Sequence, residues 1–485
     1  MTEKEAVPFH VEAAAETSPQ SPESPADVDD DEVYSIPEQR RIIRRVDVRV
    51  VLQLACLYIV SLLDRVNIST AAIAGLNKEL SLQKGSRFSI ILALFFIPYI
   101  IFQPLGSVLT RKLGPRWFLG SITLAWGAVM VGNAFSNNWQ TMAGLRVLIG
   151  LFEAGYFPGA VYLLSTWYTR FDMQKRYTLF YGVGCIAASL GGILALGLSQ
   201  MNGIAGLSGW RWIFLIEGIM TCLVALLAYI FLVGFPEDAH QSFKFLSKDE
   251  CDFIIRRVNR DRADAVTDPF TLAKFFKPAL DFTIWVYALM FFCICTMSYS
   301  ISYFLPIILV GMGFSVGASQ CLVVPPWAFT GLLMYSQAWL SDKYRLRSPI
   351  IVFNSIMGIV GLVLMAFHPK YPVRYFGVFL TLSSGGGNLP PVLTYQANNI
   401  RGHWKRAFCS ATLTGFGGIG GIAGALVFRS QDAPHYLPGI YACMACNVCV
   451  LVCVGGMTLW FLRMNSRARR GLVVLEELKG FTYTY

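Results

Sequence analysis

Charge is scarce in this chain. Of its 485 residues only 14% are Asp, Glu, Lys or Arg, and 55% are hydrophobic. A soluble domain carries about 25% charged residues, so the composition excludes an ordinary water-soluble fold. Catalytic signatures are missing as well. There is no HExxH and no paired-histidine constellation, which argues against a membrane-embedded enzyme. No phosphate-binding loop is present. Gly385-Gly386-Gly387-Asn388 lacks a following Lys-Ser/Thr and lies in an apolar block before Pro390-Pro391, so it reads as a flexible, close-packing break near a gate. The twelve cysteines form no disulfide framework. Cys443, Cys446, Cys449 and Cys453 sit in one apolar run with no histidine pair beside them, and read as small apolar helix residues rather than metal ligands. Neither a metal nor a cofactor is expected. The first 39 residues are acidic, rich in Pro, Ser and Ala, and nearly devoid of Lys and Arg. They lack the basic start and apolar core of a secretory signal, and they bury too little to fold alone.

Long apolar blocks are what the chain has instead. A hydrocarbon core about 30 Å thick needs about 20 apolar residues of helix. Blocks of that size fall at roughly 48–68, 88–109, 117–135, 140–164, 177–199, 212–234, 282–303, 319–340, 349–367, 373–394, 407–428 and 438–462. The expected fold is an all-α membrane protein of twelve transmembrane helices in two six-helix halves. Its expected parts are a disordered tail (1–45), a first half (46–234), a middle loop (235–281), a second half (282–462) and a C-terminal tail (463–485).

The formal charge of +10 is no nucleic-acid signal, because the basic residues cluster at block ends, where they face anionic lipid on the cytoplasmic side. Arg111, Lys112 and Arg116, then Arg170, Lys175 and Arg176, then Lys343, Arg345 and Arg347, then Arg401, Lys405 and Arg406 all fall on one side. That side is expected to be cytoplasmic, with both termini. The halves echo each other: Thr110-Arg111-Lys112 matches Asp342-Lys343-Tyr344, and Lys175-Arg176 matches Lys405-Arg406. Two six-helix halves in one chain mark a rocking transporter with its site between them. With no ATP-binding motif, transport is expected to be secondary.

Several stretches resemble the major facilitator superfamily. Gly106 to Arg116, reading GSVLTRKLGPR, resembles its loop motif after the second span, with Thr110 in place of the usual acid. Asp342 holds the corresponding place in the second half, so an inner-gate network resting on Asp342 with Lys343 and Arg345 is the expectation. Three further stretches narrow the resemblance: Leu63-Asp64-Arg65-Val66-Asn67-Ile68, the run RVLIGLFEAGYFPGAVYLLSTW from Arg146 to Trp167, and Gly209 to Gly218, reading GWRWIFLIEG. Together they are similar to the anion:cation symporter group in its fungal allantoate permease branch. That resemblance implies a carrier of small carboxylate-bearing solutes, driven in many members by protons, and a plasma-membrane location. A monomer is expected.

Ionisable residues inside spans are costly and usually face a cavity or one another. Arg65 reads either as the guanidinium that binds a substrate carboxylate, the part its counterpart plays in the related carriers, or as an interfacial cap with Asp64 near the outer end of the first span. Glu153 reads as the proton-coupling carboxyl or as a static partner of Arg146 two turns away. Arg146 and Glu217 read as structural or gating charges, as do Asp64, Arg111, Asp342 and Lys343. The second half offers aromatics and amides. Tyr299, Asn388 and Tyr395 are the candidates to complete a site for a planar or ring-bearing acid, and most such residues serve a core or lipid belt. The sequence leaves open an exporter of an acidic metabolite, and a non-transporting nutrient receptor is a third possibility.

Overall fold

The computed structural model describes residues 34–242, 245–262, 276–344, 347–401, 403–433, 436–476 and 481–485. Among these the chain is almost entirely helical. An amphipathic helix α1 (Ile36–Val46) starts at Ser35, whose side chain and that of Glu38 cap each other's end of the first turn, a reciprocal arrangement that satisfies two free amides. Thus the second part of the segment expected as a disordered tail is ordered. A π-helical turn (Asp47–Val51) leads into α2 (Leu52–Ala71), and a second π turn (Ala72–Leu76) continues it. The first span therefore runs well beyond residue 68, and Arg65 lies in mid-span instead of near its outer end. Hydropathy misplaces that end because Asn67, Ser69 and Thr70 are polar, yet all three are buried against neighbouring helices.

The first half continues with α3 (Arg87–Leu113), α4 (Pro115–Asn133), α5 (Trp139–Glu153), α6 (Tyr156–Trp167), α7 (Arg170–Ser199) and α8 (Gly209–Phe231). α5 and α6 form one broken span. The break falls at Ala154-Gly155 because Pro158 has no N–H for the carbonyl of residue 154 and its ring clashes there. Glu153 is consequently the last residue of α5. After the middle helix α9 (Lys248–Arg262), the second half comprises α10 (Phe282–Gly311), the short α11 (Val316–Cys321) with α12 (Val324–Tyr344), α13 (Ser348–Phe367), α14 (Tyr371–Asn399), α15 (His403–Val427) and α16 (Leu437–Arg469). Twelve spanning units result. Ten helical stretches are long and apolar enough on their own. α4 and α14 fall short of that hydropathy and are carried by packing, α4 on α8 and α14 on α13. α14 runs unbroken through Gly385-Gly386-Gly387 and Pro390-Pro391, so the expected break is absent. The small residues serve close packing instead.

Close approach is strictest at Gly150. A Cβ there would overlap the Phe95 carbonyl of α3, so backbone rather than a flexible side chain would have to move. Gly150→Val should cost about 1–3 kcal/mol by overpacking. The expected result is less folded protein in the membrane and a lower melting midpoint in detergent. An unchanged midpoint would contradict this packing.

The two halves do not meet evenly along their length. The first and last described residues, Tyr34 and Tyr485, and the middle helix α9 lie at one end of the bundle, here the terminus end. At the opposite, far end the halves are packed together. Phe88 of α3 meets Phe304 of α10 edge-on at 5.6 Å, Phe304 meets Phe428 at 5.4 Å, and the Ser89 hydroxyl donates to the Phe428 carbonyl at 3.4 Å. Gly192 of α7 lies against the backbone of Gln320 on α11, and Leu196 lies against Gly317. Most of the far half of α3 is buried, and beyond Phe102 its Gly106 and Thr110 pack on Gly155, Pro158 and Gly159. Leu105, Val108 and Leu109 are exposed. The described contacts between the halves thus concentrate at the far end.

Candidate functional site

α2 carries Ser61 and Arg65 one turn apart, so both side chains leave the same face. That face meets the end of α5. The Arg65 Nε donates to the Glu153 Oε1 at 2.6 Å, and the Ser61 hydroxyl donates to the same oxygen. Glu153 is fully buried and Arg65 nearly so, with side-chain exposures of 0% and 10%. The guanidinium carbon lies 4.8 Å from the Tyr99 ring centre and 5.4 Å from that of Phe95, contacts worth about 1 kcal/mol each. Arg65 also reaches the other half of the molecule. Its Nη1 donates to the Tyr299 hydroxyl of α10 at 3.4 Å. The Tyr299 ring stacks on Tyr303 at 5.9 Å and meets Phe96 edge-on at 5.0 Å. A cation, a carboxylate and a wall of aromatic rings therefore converge on the seam between the halves. The second Glu153 oxygen, Oε2, is buried without a hydrogen-bond partner, which is costly for an ionised carboxylate.

Behind this pair lies a second polar cluster within the first half. Arg146 does not pair with Glu153. Its Nη1 donates to the Asp64 main-chain carbonyl at 3.3 Å and its Nη2 to the Asn67 Oδ1 at 3.2 Å. Asp64 is buried in the half rather than capping a helix at the interface. Its Oδ2 accepts from the Trp126 indole at 3.1 Å and the Thr221 hydroxyl at 2.9 Å. The Asn67 amide donates to the Glu217 Oε2 at 2.9 Å. Glu217 borders a narrow crevice between the halves that Ser302, Pro306 and Trp327 also line. Asn67 thus ties Arg146 to Glu217. Replacing it by Ala strands a buried donor and a buried acceptor at about 1–3 kcal/mol each; Asn67→Ala should lower the melting midpoint by several degrees, and Asn67→Leu by no less.

The other candidates lie elsewhere. Asn388 is fully buried within the second half, where its amide donates to the Ser355 hydroxyl at 3.2 Å. Tyr395 packs edge-on with Tyr287 at 5.4 Å and Phe461 at 5.9 Å, in an apolar cluster separate from the one that holds Tyr303. Neither is brought to Arg65. Arg111 is exposed at the terminus end of α3, beside Thr110, whose hydroxyl folds back on the Gly106 carbonyl at 2.7 Å. Lys343 is exposed over the Trp339 ring at 5.0 Å. The Asp342 side chain and residue Arg345 lie outside the described residues. Sequence reading missed Ser61, Phe95, Tyr99, Trp126 and Thr221, and named Asn67 only within the stretch from Leu63 to Ile68. Ser61 had a usable signal, its position one turn before Arg65. Among the described residues no cluster of three or more His, Cys, Asp or Glu could hold a metal ion.

Comparison with known proteins agrees with this architecture. The family profile of the Major Facilitator Superfamily matches residues 54–425. The major facilitator-type transporter hxnP of Emericella nidulans is 30% identical, over 88% of this chain and 87% of its own. The high-affinity nicotinic acid transporter of Saccharomyces cerevisiae is 28% identical, over 87% of this chain and 78% of its own. Among solved structures, the xylose transporter XylE of E. coli, in a partially occluded inward-open conformation, superposes with a TM-score of 0.64 at 14% identity, over 84% of this chain and 96% of its own. A bacterial homologue of the human lysosomal transporter Spinster, inward-facing and occupied, gives 0.62 at 14% identity, over 84% and 96%. The chain belongs to the Major Facilitator Superfamily and is a multi-pass membrane transporter, not an enzyme.

Proposed function

We propose that this transporter carries a small organic anion, a carboxylate on a planar or ring-bearing body, together with a proton, by alternating access. One contact carries the proposal: the Arg65–Glu153 pair at the seam between the halves. Guanidinium offers a fork that fits a carboxylate. In the far-end-closed state described here, Glu153 occupies part of that fork. A substrate carboxylate competes for the same donors, and it wins when Glu153 takes a proton. The anion and the proton then enter the pocket together and leave it together. Charge balance favours this exchange. Asp64, Glu153 and Glu217 are three buried carboxyls against two buried guanidiniums, Arg65 and Arg146. An added anion without an added proton would leave a further unpaired charge in a dry bundle, costing several kcal/mol. Tyr99, Phe95, Tyr299 and Tyr303 supply flat apolar walls for the body of the solute. The nicotinic acid transporter among the relatives supports an aromatic carboxylate.

The remaining parts of the proposal concern setting. The terminus end faces the cytoplasm in a plasma membrane, the packed far end faces outward, and the chain acts as a monomer. Asp64, Arg146 and Glu217 hold the first half in register. Tyr299 is the contact by which the second half senses the loaded site, and Tyr299→Phe, losing one 3.4 Å contact, should raise KM only a few-fold. Asn388 and Tyr395 pack the second half that rocks against it.

Two experiments test the proposal. The first is an uptake screen of small carboxylates and vitamins, at two external pH values, in a cell lacking its own acid permeases. Saturable uptake of a carboxylate, faster at the lower pH, is the expected result. Uptake confined to neutral or cationic solutes would overturn it. The second concerns the far end, where Leu196 and Gly317 are in contact. Cysteines at both positions, joined by a short bifunctional reagent, should block uptake by holding that end shut. Full uptake after verified cross-linking would rule out alternating access at this seam.

A further inference from the structure

The chain after α16 turns back on itself. Gly471, at φ 73, ends the helix, with the Leu472 amide bonded to the Arg467 carbonyl at 3.1 Å. Residues 481–485 then lie extended across the terminus end of the second half. Two buried asparagines hold them. The Asn465 Nδ2 donates to the Tyr483 carbonyl at 2.9 Å, and the Tyr483 amide donates back to the Asn465 Oδ1 at 2.8 Å. Asn399, the last residue of α14, does the same for Thr484, at 2.9 and 2.7 Å. Each side chain thereby pairs with both polar backbone groups of one residue, as a neighbouring β-strand would. The Arg347 amide, at the start of α13, donates to the Tyr485 carbonyl at 3.2 Å. Specificity comes from a slot: the Tyr483 ring stacks on Phe461 at 4.4 Å, with Trp460 at 5.4 Å. Beside the slot, Lys405 of α15 bridges Asp281 at 2.7 Å and Glu476 at 2.6 Å, and the Tyr483 hydroxyl donates to Glu476 at 3.2 Å. Burial works against the charge on Asp281, but hydrogen bonds from Lys405 and Thr283 outweigh it and hold that carboxyl below its usual range.

We infer that the terminus end of the second half is a peptide-binding site whose ligand is the chain's own extended aromatic segment Phe481–Tyr485. The bound segment ties together α14, α16 and the start of α13, and reaches α15 and α10 through Glu476 and Lys405. Its occupancy makes this half one rigid body. The site stands whether or not the solute is an anion.

Hydrogen exchange of the purified full chain, followed by mass spectrometry, tests this directly. In the unsubstituted protein the 481–485 segment should exchange at least tenfold more slowly than in Tyr483→Ala. Tyr483→Phe, which keeps the stack, should behave as the unsubstituted protein does. Asn399→Ala with Asn465→Ala should match Tyr483→Ala. Tyr483 lies outside every helix, so its replacement leaves the bundle to fold. Equal exchange of the segment in the unsubstituted protein and Tyr483→Ala would overturn the site. A protected segment whose loss leaves exchange at the ends of α14 and α16 unchanged would overturn the bracing role.

Discussion

Arg65→Ala should abolish saturable uptake while protein remains in the membrane. The guanidinium contacts both a carboxylate of the first half and a hydroxyl of the second, through Glu153 and Tyr299. Losing a charge-assisted contact to substrate costs about 2 kcal/mol or more, roughly thirtyfold in affinity. Conformational closure that depends on this contact is lost with it. Arg65→Lys should retain a remnant, because a point charge replaces a fork without its geometry. The alanine also leaves Glu153 without its partner in a buried site. The double variant Arg65→Ala with Glu153→Gln separates that destabilisation from loss of binding. It should keep the melting midpoint nearer that of the unsubstituted protein and leave uptake absent. Uptake by either alanine-bearing variant at near the original KM would remove Arg65 from the site.

Glu153→Gln should split transport in two. The amide mimics a protonated carboxyl, so Arg65 is permanently released and the pocket is permanently competent for an anion. Exchange of labelled for unlabelled solute should continue at a comparable rate. Accumulation driven by a pH gradient should fall to the level set by the solute's own gradient. Vesicles loaded with solute and given an inward proton gradient provide the measurement. Concentration of solute against its gradient by Glu153→Gln would refute the coupling role.

Much of this was legible in the sequence because bilayer thickness and charge placement leave few alternatives. Twelve apolar blocks, the charged middle loop and the echo between Thr110-Arg111-Lys112 and Asp342-Lys343-Tyr344 define two halves before any coordinates are seen. Buried ionisable residues advertise themselves, and Arg65, Asp64, Arg146, Glu153 and Glu217 were all visible as such. Their pairing was not. Seven residues on one helix place Arg146 and Glu153 on nearly one face, yet Glu153 turns to Arg65, because Pro158 ends α5 at Glu153 and frees that carboxyl to face α2. Partners on other helices depend on how two half-bundles rotate against each other, and no local spacing encodes that. The same limit explains Asn388 and Tyr395. Both are buried, but α14 turns them toward Ser355 and Phe461 instead of toward the seam. Hydropathy also ended the first span too early, since it scores Asn67 and Thr70 as exposed when Glu217 and main-chain carbonyl groups satisfy them.

Competition between a proton-sensitive carboxylate and a substrate carboxylate for a single guanidinium is the core of the account. It is tested by the dissociation constant of the transported acid, measured on the purified protein across a pH series above the acid's own titration. Affinity should weaken with rising pH, by up to tenfold per unit as one proton is required for each anion bound, and should become independent of pH in Glu153→Gln. A pH-independent affinity in the unsubstituted protein, or an undiminished pH dependence in Glu153→Gln, would contradict it.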